Sequence, residues 1–242
     1  MAMEPAEFAR MEQAVLEIKA KIAAAAREAG RNPAEVLLCA ACKTRTPDVV
    51  QESARLPIDL FGENHVQELV RNADAGAYLG KPAHLIGHLQ TNKIKKVLGR
   101  ASLIQSVDSL HLLEAIEKEA AKLDLVQDIL LEVNIGAEDS KTGLPEAQLP
   151  ALLEATAGLT HIQVKGLMTV PPADQSDADN RRSLAHLREL AFAADQRHLP
   201  HVTMEQLSMG MSGDFENAVR EGATIVRIGT AIYGARDYSK KA

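Results

Sequence analysis

The chain has 242 residues, of which 46% are hydrophobic and 25% are charged, a composition typical of a globular protein rather than a disordered one. Its formal net charge is -6 and its pI is near 5.8, so it lacks the broad positive field that attracts nucleic acid. No stretch approaches the roughly 20 apolar residues of a membrane span, and the N-terminus carries acidic residues where a signal peptide would be basic. We therefore expect a cytoplasmic protein with neither nucleic acid nor membrane as a partner.

The predicted elements begin with an amphipathic helix in residues 1–30. After it, short apolar runs alternate with segments of helical periodicity, which is the pattern of parallel βαβ units. Eight runs are candidate strands: residues 36–42, 58–63, 84–87, 103–107, 129–135, 163–170, 204–210 and 224–229. The helical segments between them are residues 47–56, 65–78, 91–99, 109–123, 146–158, 179–196 and 214–222.

This alternation predicts an α/β protein, a single TIM-type (β/α)8 barrel over residues 1–242, because eight strand-helix units fit a closed barrel better than an open doubly wound sheet. Several predicted helices open with Ser, Asp or Pro in capping positions. The most loop-like segment, residues 171–180, is only long enough for a surface loop. We therefore expect one domain without an internal linker.

Cys39 and Cys42 form the sequence CAAC, a spacing typical of a redox pair or half of a zinc site when it opens a helix or a loop. Here the pair lies within the run VLLCAAC, which is predicted as a strand. Side chains three positions apart on a strand point to opposite faces. We therefore expect these sulfurs to share neither a disulfide nor a metal ion.

Lys43 directly follows the first predicted strand. Barrels of this type carry their reactive groups in the loops after the strand C-termini, so we expect its amine to point to that end of the barrel. A lysine there can form a Schiff base with a carbonyl if burial or nearby charge favours the neutral amine. The alternative is a solvated lysine at the end of a strand.

Two glycine-rich corners follow the last two predicted strands, in LSMGMSGDFENAV and IVRIGTAIYGAR. Glycine lets the backbone approach an anion closely, Ser and Thr add hydroxyl donors, and a helix that starts near Asp214 presents free N–H groups. Loops at this place in such barrels often form a phosphate site. The alternative is that these glycines only make tight turns. The candidate phosphate ligands are Ser208, Ser212, Gly229 and Thr230.

Arg227 lies two residues before Gly229 on the last predicted strand, and strand alternation predicts that it points into the barrel. A buried guanidinium needs a partner. A pyridine nitrogen would be one, since proteins that use pyridoxal 5′-phosphate (PLP) place an acid or an arginine at that atom. Lys43, Arg227 and the phosphate corners therefore match the aldehyde, the pyridine nitrogen and the phosphate of PLP. The alternative for Arg227 is a salt bridge to a barrel carboxylate such as Glu132 or Glu205.

Other polar residues give weaker signals. His84 and His88 stand four apart, but the glycine and apolar residues between them argue against one helix face, and no third ligand follows at metal-site spacing. We therefore predict no metal site. Lys141 and Lys165 are alternative Schiff-base lysines, but the first is predicted in a loop and the second inside a strand, so both rank below Lys43.

Six segments of the sequence, in chain order, are recognisable: CAACKTRTPDVV, DLFGENHVQEL, HLIGHLQTNKIKKVLG, ILLEVNIGAEDSKTG, VKGLMTVPP and LSMGMSGDFENAVREGATIVRIGTAIYGAR. Together they resemble the PLP homeostasis (YggS/PROSC-type) family, and the match runs across nearly the whole chain. That family resembles the N-terminal barrel of alanine racemase, the fold-type III group of PLP proteins.

The resemblance implies a role for each matching residue. Lys43 would carry PLP as an aldimine, Arg227 would face the pyridine nitrogen, and Asn64 of the FGEN motif would lie beside the ring. The phosphate would be held by Ser208, Gly229 and Thr230. The complete cofactor-binding set that we predict is Lys43, Asn64, Ser208, Met209, Ser212, Arg227, Gly229 and Thr230.

Two positions depart from the family pattern. The lysine is more usually preceded by Ser, where this chain has Cys42, and FGEN is more usually followed by Tyr, where this chain has His65. A neighbouring thiol and imidazole lead to the hypothesis that local pKa values are altered or that a thiohemiacetal forms with the aldehyde.

These sequence features favour PLP binding over PLP-dependent catalysis. Alanine racemases that resemble this barrel add a C-terminal β-domain with a second base, whereas this chain ends soon after the eighth unit, and racemisation needs proton delivery from both faces. An arginine at the pyridine nitrogen also weakens the cofactor as an electron sink. The leading hypothesis, as the resemblance implies, is PLP homeostasis: buffering or delivery of the cofactor through a reversible Lys43 aldimine, with effects on vitamin B6 metabolism.

Two alternatives remain open. The first is a PLP-dependent amino acid racemase or a related fold-type III enzyme, which would act on amino acids. The second is an interaction protein whose exposed, charged helices contact PLP-synthesising or PLP-requiring enzymes. We expect a monomer, because the racemase C-terminal domain supplies much of the dimer contact in that group.

Overall fold

A closed barrel of eight parallel strands is the centre of the computed structural model, which describes residues 3–136, 142–172 and 174–234. The strands pair in chain order, and the last pairs with the first. They are β1 (Leu37–Ala41), β2 (Leu60–Glu63), β3 (Ala83–Leu85), β4 (Leu103–Val107), β5 (Gln127–Glu132), β6 (Ile162–Met168), β7 (Val202–Ser208) and β8 (Ile225–Ile228). The eight predicted strands and the barrel are thus confirmed, with strand limits that differ by at most three residues.

Helices cover the outside of the barrel and connect each strand to the next. Those within the described ranges are α1 (Pro5–Glu28), α2 (Pro47–Ser53), α3 (Val66–Asp74), α4 (Ile94–Val97), α5 (Leu110–Ala121), α6 (Leu149–Ala155), α7 (Asp177–Asp195), α8 (Phe215–Arg220) and α9 (Thr230–Tyr233). No helix in the part of the chain that the structure describes is long and apolar enough to cross a membrane.

The start of α7 differs from the prediction. Helix α7 begins at Asp177, two residues before the predicted helical segment 179–196 and inside the segment 171–180 that the sequence predicts as loop-like. The side chain of Ser176 accepts a hydrogen bond from the Asp179 N–H at 3.2 Å, which is the usual N-cap arrangement. A polar first turn with a serine cap therefore resembles a loop in sequence.

The apolar residues form two layers. Six buried side chains fill the barrel interior: Cys39, Leu60, Leu103, Leu130, Met168 and Ile225. A larger cluster lies between the strands and the surrounding helices. Helix α1 buries Met11, Val15, Ile18 and Ile22 on one face, a spacing of four, three and four residues that forms a stripe along a helix. This stripe packs on α8, α9 and α2.

Cys39 and Cys42 occupy these two different layers, as strand alternation predicts. Cys39 lies in the barrel interior and Cys42 in the outer cluster. Both are buried free thiols. The CAAC sequence is therefore part of the barrel wall and not a paired redox or metal motif.

Parallel pairing around the whole barrel brings the C-terminal ends of all eight strands to one end, which we call the mouth. Lys43, Asn64 and Gly229 each lie one or two residues beyond the end of a strand at this mouth. Closure by the pairing of β1 with β8, which sets Cys39 opposite Arg227, makes the first and last strand ends neighbours.

Candidate functional site

Lys43 lies in a tight turn that begins at the end of β1. The Arg45 N–H donates to the Cys42 carbonyl at 3.0 Å, and Thr44 between them has a φ of 68°. A β-branched residue in this left-handed region is strained. The Thr44 N–H donates to the Glu68 carboxylate at 2.8 Å, which holds the strained conformation. The turn therefore fixes the backbone of Lys43 at the mouth.

A second set of contacts ties this turn to α9. The guanidinium of Arg45 donates to the Gly234 carbonyl at 3.2 Å and lies 5.4 Å from the centre of the Tyr233 ring. The Tyr233 hydroxyl in turn is 3.0 Å from the hydroxyl of Ser53 on α2. The loop after the first strand is thus bound to the loop after the last.

Lys43 shares a small cleft with Gly229 and Thr230 of the last corner. Gly229 lies against β1, because a Cβ atom at this position would be only 3.2 Å from the Ala41 carbonyl oxygen. A side chain at this position would push the corner and Ala41 apart by a few tenths of an ångström. The predicted lysine and part of the predicted phosphate corner therefore meet in one place, although they are 186 positions apart in the chain (229 − 43).

The two glycine-rich corners also contact each other. Ser212, in the loop after β7, accepts a hydrogen bond from the Ala231 N–H at 3.3 Å, which leaves its own hydroxyl proton available to another acceptor. The backbone N–H of Arg227 donates to the Gly210 carbonyl at 2.9 Å. The corners therefore form one continuous surface, and the phosphate role of Ser212, Gly229 and Thr230 stays a prediction.

Arg227 points into the barrel and is 5% exposed. Its guanidinium donates to the Ser208 hydroxyl at 2.5 Å and to the Thr169 carbonyl at 2.8 Å. The Ser208 hydroxyl donates to the Gln105 side chain at 2.6 Å. Both hydroxyl bonds of Ser208 are therefore directed to the barrel interior in this structure.

The electrostatic surroundings of this guanidinium are mixed. Burial lowers its pKa, whereas Cys39, Glu132 and Asp214 raise it. An arginine remains protonated in proteins, so Arg227 is a fixed buried cation. Of the two carboxylates that we considered as its partners, Glu205 is exposed on β7, and Glu132 is buried and accepts a hydrogen bond from Thr142 at 2.7 Å.

Two further predicted residues occupy different environments. The side chain of Met209 is fully buried in the outer cluster, and its N–H donates to the Ile225 carbonyl at 3.1 Å. Asn64 lies at the mouth, where Gly87 approaches so closely that a Cβ atom there would be 2.2 Å from the Asn64 carbonyl oxygen. Within the described residues, the buried Oδ1 atom of Asn64 has no hydrogen-bond partner.

Cys42 is turned away from the mouth. Its thiol, fully buried, donates to the Glu63 carboxyl at 3.0 Å, and burial together with that carboxyl raises the thiol pKa well above its ordinary value. A neutral thiol in the outer layer cannot attack an aldehyde at the mouth. The burial of Cys42 therefore argues against the thiohemiacetal hypothesis. The other departure from the family pattern, His65, is exposed at the start of α3.

The remaining candidates lie apart from this cleft. His88 is exposed and 3.8 Å from Asp108, and His84 is buried inside the barrel. Among the described residues no group of three His, Cys, Asp or Glu side chains could hold a metal ion. Lys165 lies within β6, before Gly166 and away from the strand end. Lys141 lies outside the described residues.

The sequence reasoning missed several polar residues around this site, among them Gln105. Gln105 is fully buried and bridges Ser208 on β7 and His84 on β3. A signal was present, because a glutamine in the apolar run LIQSV, two residues after an inward-facing leucine, also faces the interior. Such a buried amide needs partners, which the sequence alone could not name.

Comparison with known proteins shows the family to which this fold belongs. The family model described as alanine racemase, N-terminal domain, matches residues 16–237, which defines the class as an alanine racemase-type barrel. A pyridoxal phosphate homeostasis protein of Aquifex aeolicus is 42% identical over 218 residues, 90% of this chain and 95% of that protein. The chain therefore belongs to the pyridoxal phosphate homeostasis protein family, within the alanine racemase N-terminal class, as the sequence motifs predict.

Two solved structures resemble the fold closely. A protein of Bifidobacterium adolescentis, described as unknown, has a TM-score of 0.90 and 35% identity, and the match covers 96% of this chain and 97% of that one. PipY of Synechococcus elongatus PCC7942, solved with PLP bound, has a TM-score of 0.77 and 32% identity, and covers 88% of this chain and 100% of that one.

Proposed function

We propose that this protein binds PLP at the mouth of the barrel through Lys43 and acts in PLP homeostasis by buffering or delivering the cofactor. PLP supplies an aldehyde that combines reversibly with an amine. The observation that carries the proposal is the cleft in which Lys43 meets Gly229 and Thr230. An amine and a glycine-rich corner in one cleft match the two ends of a phosphorylated aldehyde.

Three features of the structure fit this cofactor. A Cβ atom at Gly229 would lie only 3.2 Å from the Ala41 carbonyl oxygen, and a glycine backbone can approach an anion closely. The Oδ1 atom of Asn64 is buried and, within the described ranges, lacks a partner, so a ligand group could satisfy it. Arg227 presents a fixed cation with further N–H donors inside the barrel.

Each residue then has a distinct task. Lys43 would supply the amine, and hydrogen bonds hold the backbone of its turn in place. Ser212, Gly229 and Thr230 would bind the phosphate, and Asn64 would contact the ring. Arg227 would donate a hydrogen bond to the ring nitrogen, which keeps that nitrogen unprotonated, because a guanidinium has no proton to transfer at neutral pH. Residues arranged in this way bind and orient the cofactor more than they activate it.

The relatives support the proposal. The Aquifex protein is named for pyridoxal phosphate homeostasis, and PipY has been solved with PLP bound. We extend the proposal to enzymes that synthesise or require PLP as the partners for delivery, because a cofactor held by a reversible bond can pass to another lysine amine.

The experiment that tests the site is borohydride reduction of the PLP-loaded protein, followed by peptide mass mapping. We expect a pyridoxyl group on Lys43 alone in wild type. The Lys43→Ala variant should lose the tag and most firmly held PLP, while Lys165→Ala, a matched change inside β6, should keep both. A tag on Lys165 or Lys141 in wild type, or undiminished PLP in Lys43→Ala, would overturn the proposal.

A further inference from the structure

A chain of four polar side chains crosses the barrel interior. The guanidinium of Arg227 lies 2.5 Å from the Ser208 hydroxyl, which lies 2.6 Å from the side-chain oxygen Oε1 of Gln105. The amide nitrogen of Gln105 lies 2.8 Å from Nδ1 of His84. The four residues belong to β8, β7, β4 and β3, and all four are buried. We call this set the relay.

The direction of every bond in the relay follows from its first member. Arginine can only donate, so the Ser208 oxygen accepts and its single proton goes to the Gln105 oxygen. The Gln105 amide nitrogen can only donate, so Nδ1 of His84 must accept. The neutral ring then carries its proton on Nε2. Burial lowers the pKa of His84 to about 4, which agrees with an unprotonated acceptor at neutral pH.

The relay gives Ser208 a task other than phosphate binding. Its hydroxyl accepts from Arg227 and donates to Gln105, so its one proton is already used inside the barrel. Arg227 is held on its other side by the Thr169 carbonyl. The guanidinium is thus held between the backbone carbonyl of Thr169, directly after β6, and the relay, which fixes the plane of its N–H donors.

We infer that His84 is a positioning residue for the cofactor-facing arginine: it terminates the relay as an obligatory acceptor and so orients the Arg227 guanidinium toward the ring nitrogen. This inference rests on the proposed function, and it adds Gln105 and His84 to the ring end of the site and moves Ser208 from the phosphate end to the ring end. The charged and titratable groups near the guanidinium are Cys39, Glu132 and Asp214.

The alternative is that the Thr169 carbonyl and the nearby carboxylates hold Arg227 without help from the relay. In that case His84 and Gln105 would only satisfy each other in the core. The two possibilities predict different results for binding at the ring end and at the phosphate end of the site, so ligands that report on each end can separate them.

The test uses three variants of the full chain. His84→Leu removes the acceptor, while His84→Asn keeps a side-chain oxygen near the position of Nδ1 and can still accept from the Gln105 amide. Ser208→Ala breaks the relay next to Arg227 with a small change of volume, so it also serves if His84→Leu does not fold. The probes are PLP, followed by its absorbance between pH 6 and 9, and inorganic phosphate, which lacks the ring.

We expect His84→Leu and Ser208→Ala to weaken PLP binding about tenfold, the scale of one buried hydrogen bond to a charged group. Both should shift the pH dependence of PLP absorbance. Phosphate affinity should stay within about twofold of wild type, and His84→Asn should stay close to wild type for both probes.

Several results would overturn the inference. The first is a PLP affinity equal to that of wild type in Ser208→Ala or in a folded His84→Leu protein. The second is an equal loss of PLP affinity in His84→Leu and His84→Asn. The third is a loss of phosphate affinity in Ser208→Ala as large as its loss of PLP affinity. Wild-type protein that binds no PLP would instead refute the proposed function. The two failures are therefore distinguishable.

Discussion

Gly87 shows how a single residue shapes the mouth. No side chain fits there, because its Cβ would lie 2.2 Å from the carbonyl oxygen of Asn64 and 2.9 Å from the Asn64 Cα. Backbone atoms cannot move away as the end of a flexible side chain can. The close approach of the segment after β3 to the segment after β2 therefore depends on glycine, and it sets the position of the Asn64 side chain.

Replacing Gly87 with Ala should destabilise the protein by about 1–3 kcal/mol, the usual effect of overpacking. It should also weaken PLP binding, because Asn64 must shift. Gly158 is the matched control, since a Cβ there meets nothing within 4 Å and Ala favours helical backbone. Urea unfolding would measure both variants. A Gly87→Ala protein as stable as Gly158→Ala would contradict the close approach.

Between β2 and α3, a cluster of donors surrounds one carboxyl group. The Oε1 atom of Glu63 accepts from the Cys42 thiol at 3.0 Å, from the Asn72 amide at 2.5 Å and from the Tyr78 hydroxyl at 3.1 Å. Within the described residues, its buried Oε2 atom has no partner. Burial raises the Glu63 pKa above 4.5, although these three donors oppose the shift.

This raised pKa predicts a pH dependence of stability. A carboxyl group whose pKa is higher when folded binds more protons in the folded state, so its contribution is complete below pH 4.5 and is lost as pH rises through the folded pKa. Glutamine resembles the protonated acid and cannot ionise. We therefore expect the unfolding free energy of Glu63→Gln, relative to wild type, to increase as pH rises from 4.5 to 8.

Chemical denaturation across that pH range would measure the unfolding free energies of wild type and Glu63→Gln. Taking the difference between them removes the contributions of the other titrating groups. The control is Glu205→Gln on the exposed face of β7, where folding changes the surroundings of the carboxylate less. A Glu63→Gln difference that stays constant across the pH range would contradict the raised pKa of Glu63.

At the scale of the whole molecule, binding at the mouth should stabilise the closed barrel. The corners that would hold the phosphate and the lysine turn join β7, β8 and β1, so a bound ligand connects the last strands to the first. A ligand that binds only the folded state, present at a concentration of 100 times its Kd, adds about 2.7 kcal/mol to the unfolding free energy.

PLP at that excess should raise the Tm of wild type by about 5–11 °C, given roughly 2–4 °C per kcal/mol for a chain of this size. Differential scanning calorimetry would measure the shift. At the same ligand concentration, Lys43→Ala should show a much smaller shift, and so should wild type with pyridoxine 5′-phosphate, which has the ring and phosphate but no aldehyde. Equal shifts for all three would mean that Lys43 adds nothing to affinity.

Much of the fold followed from local patterns. Each strand is a short apolar run and each helix has its own periodicity, so eight alternating units predicted the barrel, and only the edges of elements moved. The start of α7 was misplaced because the polar turn after Ser176 has the composition of a loop. Lys43 was identified because its position after a strand is itself a local property.

The sequence by itself therefore determined the order of elements, the lysine turn after β1 and the glycine-rich corners after β7 and β8. Only the tertiary structure decided which of these meet. Ser208 and Gln105, 103 positions apart, share a hydrogen bond because the closed barrel brings β4 and β7 together across its interior. The physical reason is that local propensity acts over a few neighbouring residues, whereas register is set by the pairing of all eight strands at once.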